Sequence, residues 1–279
     1  MEKKISYLIF KFLSIFDFII KFFLGRSFLI WFPEFISNYQ NIGKMKFYIP
    51  NRLVDWRIKT FHTKEPETLE WIDGFDEGSC FWDIGANIGL YSIYSASKLN
   101  KIKVFSFEPS TSNLRVLSRN ISINSFQDKI SVLPLALSDK KGIYTSSFKE
   151  NIFTEGGAEN AFSVNFNWKG DVFNSTNEYN TVGTSIDYLV NNNYIDIPNY
   201  IKIDVDGIEH LILKGGIETL KREEIKSVSV EINDDFKLQN KQCIKIFKSC
   251  GFKFHQKKHS EIFDNSKYSN VYNYIFKKN

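Results

Sequence analysis

Residues 81–92 read FWDIGANIGLYS, and the reading of this stretch decides the fold. Together with Ser79 and Cys80, its first residues form a short apolar strand ending near Ile84. Gly85 and Gly89 follow, and 90–99 then has the pattern of a helix. The glycines let the backbone turn sharply between strand and helix and approach a ligand closely. Their spacing is Gly-x-x-x-Gly. A dinucleotide pyrophosphate is cradled by Gly-x-Gly-x-x-Gly, and Asn87 stands where the second glycine of that pattern would be. A nucleoside without a pyrophosphate needs only the close approach.

Outward from this loop, Lys103–Phe107 reads as a second buried strand that ends at Glu108-Pro109. An acid about 20 residues beyond such a loop can accept hydrogen bonds from both ribose hydroxyls, and Glu108 is so placed. Asp83, at the end of the first strand, can balance a positive charge on the ligand. Ser110, Thr111 or Ser112 can cap a helix over about 112–124. Further strands are expected at 130–137, 200–204, 226–232, 252–257 and 271–277. Helices are expected at 66–73, from 185, at 207–221, and at 239–250 with Gly251 as its stop. Strands alternating with helices imply an α/β fold with a largely parallel sheet. Ligands bind beyond the carboxyl ends of such strands, which gathers 83–89, Glu108, 204–210 and 231–234 into one cleft. The polar section 143–180 breaks the pattern and reads as an insertion, a hairpin with loops. Its Phe162, Phe166, Trp168 and Phe173 stand among many Asn residues, either as a sugar-binding lid or as buried anchors.

Asp204, Asp206, Glu209 and His210 form a dense cluster after the fourth of these strands and are the catalytic candidates. His210 has the side chain best suited to proton transfer at neutral pH. Asp204 stands at the strand tip. Simpler roles are open to the others: Asp206 as a helix N-cap, Glu209 as a first-turn acid favoured by the helix dipole, His210 as a polar residue on a helix face. Asp204, Asp206, Glu209, Glu231 and Asp234 have the oxygen ligands that Mg²⁺ prefers but no clear ligand spacing, so a divalent metal is not expected.

These stretches together resemble the FkbM family of S-adenosylmethionine-dependent methyltransferases. The resemblance rests on EPET at 65–68, FWDIGANIGLYS at 81–92, FSFEPS at 105–110, LALSD at 135–139, SIDYL at 185–189, IKIDVDGIEHLILKGG at 201–216 and VEIN at 230–233. It implies a Rossmann-like, seven-stranded class I methyltransferase fold, mostly parallel with an antiparallel last strand. It also implies S-adenosylmethionine as cofactor and, commonly, O-methylation of a sugar or natural-product hydroxyl. Carried onto this chain, the family pattern places cofactor contacts at Asp83, Gly85, Asn87, Gly89, Glu108 and Pro109. Ser138 and Asp139, in LALSD, would lie close to the adenine. Many members have Glu where this chain has Asp206, which is one methylene shorter.

The remaining composition narrows the function. Net charge is only +4, and Lys and Arg are scattered among Asp and Glu, so no nucleic-acid partner is expected. Three cysteines, Cys80, Cys243 and Cys250, suggest neither a disulfide framework nor a zinc site and fit a reducing compartment. Residues 5–32 are very apolar, but Lys11, Asp17, Lys21 and Arg26 interrupt them below the length of a spanning helix. We therefore expect an amphipathic helical extension over 1–45 ahead of a methyltransferase domain over 46–279. The helix at 3–32 would contact a membrane surface peripherally, pair two copies, or pack on its own domain. The expected location is cytoplasmic, at or near the inner membrane face. The expected acceptor is a small molecule or glycan. An NAD-binding oxidoreductase and a non-catalytic cofactor-binding scaffold are the competing readings.

Overall fold

The computed structural model describes residues 4, 7–9, 11–16, 19, 38–175 and 177–278. It divides the chain into two compact units, Met1–Tyr39 and Gln40–Asn279. In the first unit the described residues from 4 to 19 are helical, and Lys11 lies over the Tyr7 ring. The expectation of membrane or subunit contact through 3–32 falls mostly outside the described residues. Among the described residues, no helix is long and apolar enough to cross a membrane.

Strand β1 (Tyr39–Ile42) spans the unit boundary, and β2 (Met45–Tyr48) follows, then helices α1 (Arg52–Lys59), α2 (Phe61–Lys64) and α3 (Pro66–Asp73). The glycine loop joins β3 (Cys80–Ile84) to α4 (Leu90–Lys98). Next come β4 (Lys103–Phe107), α5 (Thr111–Ile123), β5 (Ile130–Leu133) and β6 (Ala136–Leu137). The insertion supplies β7 (Tyr144–Glu150), β8 (Ala161–Phe162) and β9 (Asn177–Thr184). The chain ends with α6 (Ile186–Asn191), β10 (Tyr200–Ile203), α7 (Glu209–Lys214), α8 (Ile217–Leu220), β11 (Ser227–Asn233), α9 (Lys237–Ser249), β12 (Lys253–Lys258) and β13 (Val271–Lys277).

Seven strands form one sheet in the order β12-β13-β11-β10-β3-β4-β5. β13 runs antiparallel to both its neighbours, and the other pairs are parallel. This is the Rossmann-like α/β sheet of class I methyltransferases, as expected. β3 lies inside the sheet between β10 and β4, and all five of its residues are buried. The pleat sends Trp82 and Ile84 to one face, where they pack with Phe105, Phe107, Ile201 and Ile203 against α6 to α9. It sends Phe81 to the other, with Val104, Tyr200 and residues of α1 to α5. Each such fully buried side chain stabilises the sheet by roughly 1.5–3 kcal/mol. The same alternation puts a polar row across the second face, because Asp83 pairs in register with Ser106 on one side and Lys202 on the other.

Three expectations are corrected. The strand at 130–137 is two strands. Pro134 lacks an N–H, and beyond it β6 leaves the main sheet to pair with β9. The helix at 207–221 is two short helices, starting at Glu209 and interrupted at Gly215-Gly216, where Gly215 lies against the Ser138 carbonyl. The insertion is more than a hairpin. β7 and β9 pair antiparallel from Tyr144↔Gly183 to Glu150↔Asn177, and with β6 and β8 they build a second, four-stranded sheet. The unit boundary falls after Tyr39, the first residue of β1.

Candidate active site

The glycine loop is pinned on both sides. The Gly85 and Ala86 N–H groups both donate to the Phe107 carbonyl at 3.0 Å, which ties the loop to β4. Gly85 has φ +84°, and a Cβ there would stand 1.9 Å from the Asp204 carbonyl oxygen, so the loop runs hard against the tip of β10. Asn87 is also left-handed, with φ 52°, and Gly89 caps α4 with φ 86°. Nothing larger than a glycine fits the first of these positions without moving a strand.

Glu108 is buried, and its carboxylate bridges two backbone amides: Asn87 N–H at 2.7 Å and Ser110 N–H at 2.8 Å. Burial pushes the carboxyl up to about 7, against the pull of those hydrogen bonds. Each oxygen retains acceptor capacity beyond the one bond it makes. Asp83 is fully buried at the end of β3 and accepts from the Ser92 hydroxyl at 2.6 Å. Its other oxygen has no hydrogen-bond partner among the described residues. Burial raises this carboxyl too, opposed by Lys202 and Ser92. Beside the loop an apolar cavity of about 40 Å³ is lined by Gly85, Pro109, Leu135, Leu137, Phe162 and Ile208, among others.

A larger cavity of about 160 Å³ opens on the other side of Gly85. Gly85, Asn87, Asp204, Asp206 and Glu231 line it from the strand ends. Arg57, Lys64 and Glu65 line it from α1, α2 and the turn before Pro66, and Trp168, His259 and Tyr268 from later loops. Its charges are interlocked. Lys202, almost wholly buried, binds Asp204 at 2.7 Å and lies 4.8 Å from the Tyr91 ring. Burial would lower this ammonium, but Asp204, Glu65 and Asp83 hold it above its ordinary value. Burial would likewise raise Glu65. Lys64, at 2.6 Å, and then Lys202 overcome that and hold its carboxyl at about 2. Asp206 adopts φ +63° and accepts from the Glu159 and Asn160 amides at 2.7 and 3.3 Å, so it anchors the insertion. Burial and the neighbouring Asp204 raise it to about 6.

The other two members of the acidic cluster stand apart from this cavity. Glu209 accepts from the Val205 and Gly207 amides and from the Gln239 side chain, so it braces the turn into α7. Its burial pushes it to about 7. His210 points into the packed side of α7, with ring centroids 6.4 Å from Phe166 and 5.8 Å from Phe236. Burial drops its pKa to about 4, so it stays neutral at physiological pH. The physical reason is the register of α7: once the helix begins at Glu209, His210 shares its buried face with Leu213. The variant His210→Phe should therefore retain turnover within a few-fold of wild type in steady-state assays. A loss as large as that expected for a proton-transfer group, about 10²-fold or more, would return His210 to the site. Ser138 donates its backbone N–H to the Thr184 carbonyl, and its hydroxyl bonds Tyr144. Asp139 pairs with Lys214 at 2.7 Å. Neither lines either cavity.

Sequence reasoning missed Arg57, Lys64, Glu65, Tyr268 and His259 as site residues. Glu65 carried a signal: an acid before a proline must leave the helical region, and at φ −143° it turns toward the cleft while α3 starts behind it. Of the insertion aromatics, Trp168 reaches the large cavity and Phe162 the apolar one, while Phe166 packs on His210.

The FkbM methyltransferase domain profile matches residues 83–254, more than half of the chain. The chain belongs to the FkbM methyltransferase family. It is 27% identical over 179 residues to the hexuronic acid methyltransferase AglP of Haloferax volcanii, covering 64% of this chain. It is 36% identical over 70 residues, 25% of this chain, to the methyltransferase sdnD of Sordaria araneosa. These matches span 66% and 27% of the relatives' own lengths. Among solved structures, an FkbM methyltransferase from Methylobacillus flagellatus KT superposes with a TM-score of 0.48 at 15% identity, covering 73% of this chain and 44% of that one.

Proposed function

We propose that this FkbM-family chain transfers a methyl group from S-adenosylmethionine to a sugar hydroxyl in a glycan, glycolipid or secondary metabolite. One observation carries the reading: Gly85 lines both the apolar cavity at Pro109 and the polar, aromatic cavity over Asp204. Gly85 thus borders both a donor slot and an acceptor chamber. The residues fit the cofactor. Glu108 retains acceptor capacity for a ribose diol, and Pro109, Leu135 and Leu137 offer an apolar slot to a purine. The Asn87 and Asn160 amide oxygens, one in each cavity wall, are buried without a hydrogen-bond partner among the described residues.

When bound, S-adenosylmethionine supplies an electrophilic methyl carbon on a positively charged sulfur. The chain's own work is alignment, because the acceptor oxygen has to be held about 3–3.5 Å from that carbon. Trp56, Trp168 and Tyr268 present flat apolar faces suited to sugar C–H surfaces, and Glu67, Glu159 and Asn273 offer hydrogen bonds to hydroxyls. Lys202 fixes the Asp204 carboxylate at the chamber floor.

The test is equilibrium titration with S-adenosylmethionine and NADH, followed by mass spectrometry of a sugar panel that includes uronic acids. Saturable binding of the first ligand only, and one added methyl per acceptor, is the expected result. Tight NADH binding with no response to S-adenosylmethionine would overturn the proposal.

A further inference from the structure

We propose that Glu231 is the group that takes the acceptor hydroxyl's proton, and that the cofactor's positive charge is what makes it available as a base. This rests on the cofactor reading above and assigns a role that reading leaves open.

The cavity's lysines are already claimed. Lys64 binds Glu65 at 2.6 Å and Lys202 binds Asp204 at 2.7 Å. Arg57 donates its Nε–H to the Gly156 carbonyl at 2.7 Å and lies near enough to Asp206 to favour its charged form. Glu231 follows Val230, which pairs in register with Ile203, so Glu231 stands on β11 level with Asp204 just beyond the tip of β10. Facing Glu231 are Asp204 from β10, Asp206 beyond it, Glu65 and Lys64 from the α2–α3 turn, and Tyr268 from the loop before β13. His259, Glu67 and Glu159 complete the charged or titratable lining. Among the described residues no ion pair and no hydrogen bond involves the Glu231 carboxyl. It is an acid among acids with no cation of its own.

Asp204 is badly placed to be the base. A proton taken there would leave the Lys202 ammonium buried and unpaired, a costly state. Glu231 has no such tie. Burial, then Asp204 and Glu65, push its carboxyl above the ordinary range and so favour the neutral acid. S-adenosylmethionine in the donor slot would bring a net charge of +1 beside this chamber, and the demethylated product S-adenosylhomocysteine none. The incoming charge favours the carboxylate, so Glu231 ionises when the donor is loaded. The acceptor O–H bond then breaks with its proton passing to the Glu231 carboxylate. The oxygen lone pair forms the new bond to the methyl carbon, and the C–S pair remains on a neutral sulfur.

Proton linkage tests this on the full chain without turnover. The two ligands are titrated calorimetrically near pH 7 in buffers of different ionisation enthalpy. In wild type, S-adenosylmethionine should release a large fraction of a proton more than S-adenosylhomocysteine. In Glu231→Gln that difference should vanish while S-adenosylhomocysteine affinity stays within a few-fold, which also shows that the variant folds. Glu231→Asp, which keeps a carboxyl, should retain the release. Turnover of Glu231→Gln should fall roughly 10²-fold or more, mostly in kcat. Equal proton release by both ligands in wild type, or a difference that persists in Glu231→Gln, would overturn the assignment. If neither ligand binds, the cofactor reading itself fails along with it.

Discussion

Glu108→Ala is expected to abolish measurable S-adenosylmethionine binding, a loss of about 10²-fold or more in affinity. Two effects add. The direct one is removal of the carboxylate that accepts the Asn87 N–H of the glycine loop, the group placed to accept ribose hydroxyls. The indirect one is conformational. Asn87 N–H and Ser110 N–H both lose their acceptor in a buried place, at a cost of about 1–3 kcal/mol each. With Asn87 in a left-handed conformation, that bond is one of the constraints that fix the loop's shape. Glu108→Gln separates the two. Its amide oxygen can satisfy one backbone N–H but not both, so it should bind more weakly than wild type and more tightly than Glu108→Ala.

The pH behaviour checks the same residue independently. The folded-state carboxyl sits at about 7, above the ordinary 4.5, so the folded protein takes up this proton more readily than the unfolded chain. The stability contributed by the proton is fully present below about 4.5 and is lost as pH rises through about 7. The loss cannot exceed about 3 kcal/mol for this one group. Thermal melts of the ligand-free protein should therefore fall less steeply between pH 5 and 7.5 in Glu108→Gln than in wild type. Parallel profiles would mean that Glu108 is ionised throughout and that burial does not govern it.

Much of this site was legible because it is local. The glycine loop, the acid at the end of β4 and the Asp204–Asp206 turn each follow a buried strand, and a parallel sheet puts its strand ends together. What was hidden depends on long-range register. His210 and Asp206 are four residues apart and looked equivalent, yet one faces Phe236 and the other the cavity, because α7 starts at Glu209. The insertion showed no period to read. β7 finds its partner β9 across more than 25 intervening residues, and that pairing carries Trp168 to the acceptor side. Arg57 belongs to a helix far from any recognisable motif. It reaches the cavity because α1 packs across the Gly156 turn, where its guanidinium holds a carbonyl.

Gly85→Ala is expected to have the largest effect on stability, a loss of roughly 4 kcal/mol or more. A left-handed φ costs an alanine about 1–2 kcal/mol. The remainder comes from contact. The new Cβ would stand 1.9 Å from the Asp204 oxygen and 2.9 Å from its carbonyl carbon, both backbone atoms that no rotamer change can move. Relief requires β3 and β10 to separate at their tips, and the bond from Asp204 N–H to the Ile84 carbonyl at 3.0 Å opposes that. Gly251 supplies the control, since it has the same φ of +84° with nothing within 4 Å of a Cβ. Gly251→Ala measures the conformational cost alone, and the difference between the two variants in denaturant unfolding measures the close approach. That difference should be about 2 kcal/mol or more, a large share of the 5–15 kcal/mol typical of a folded domain. Equal losses at the two glycines would mean that the loop is not wedged against Asp204.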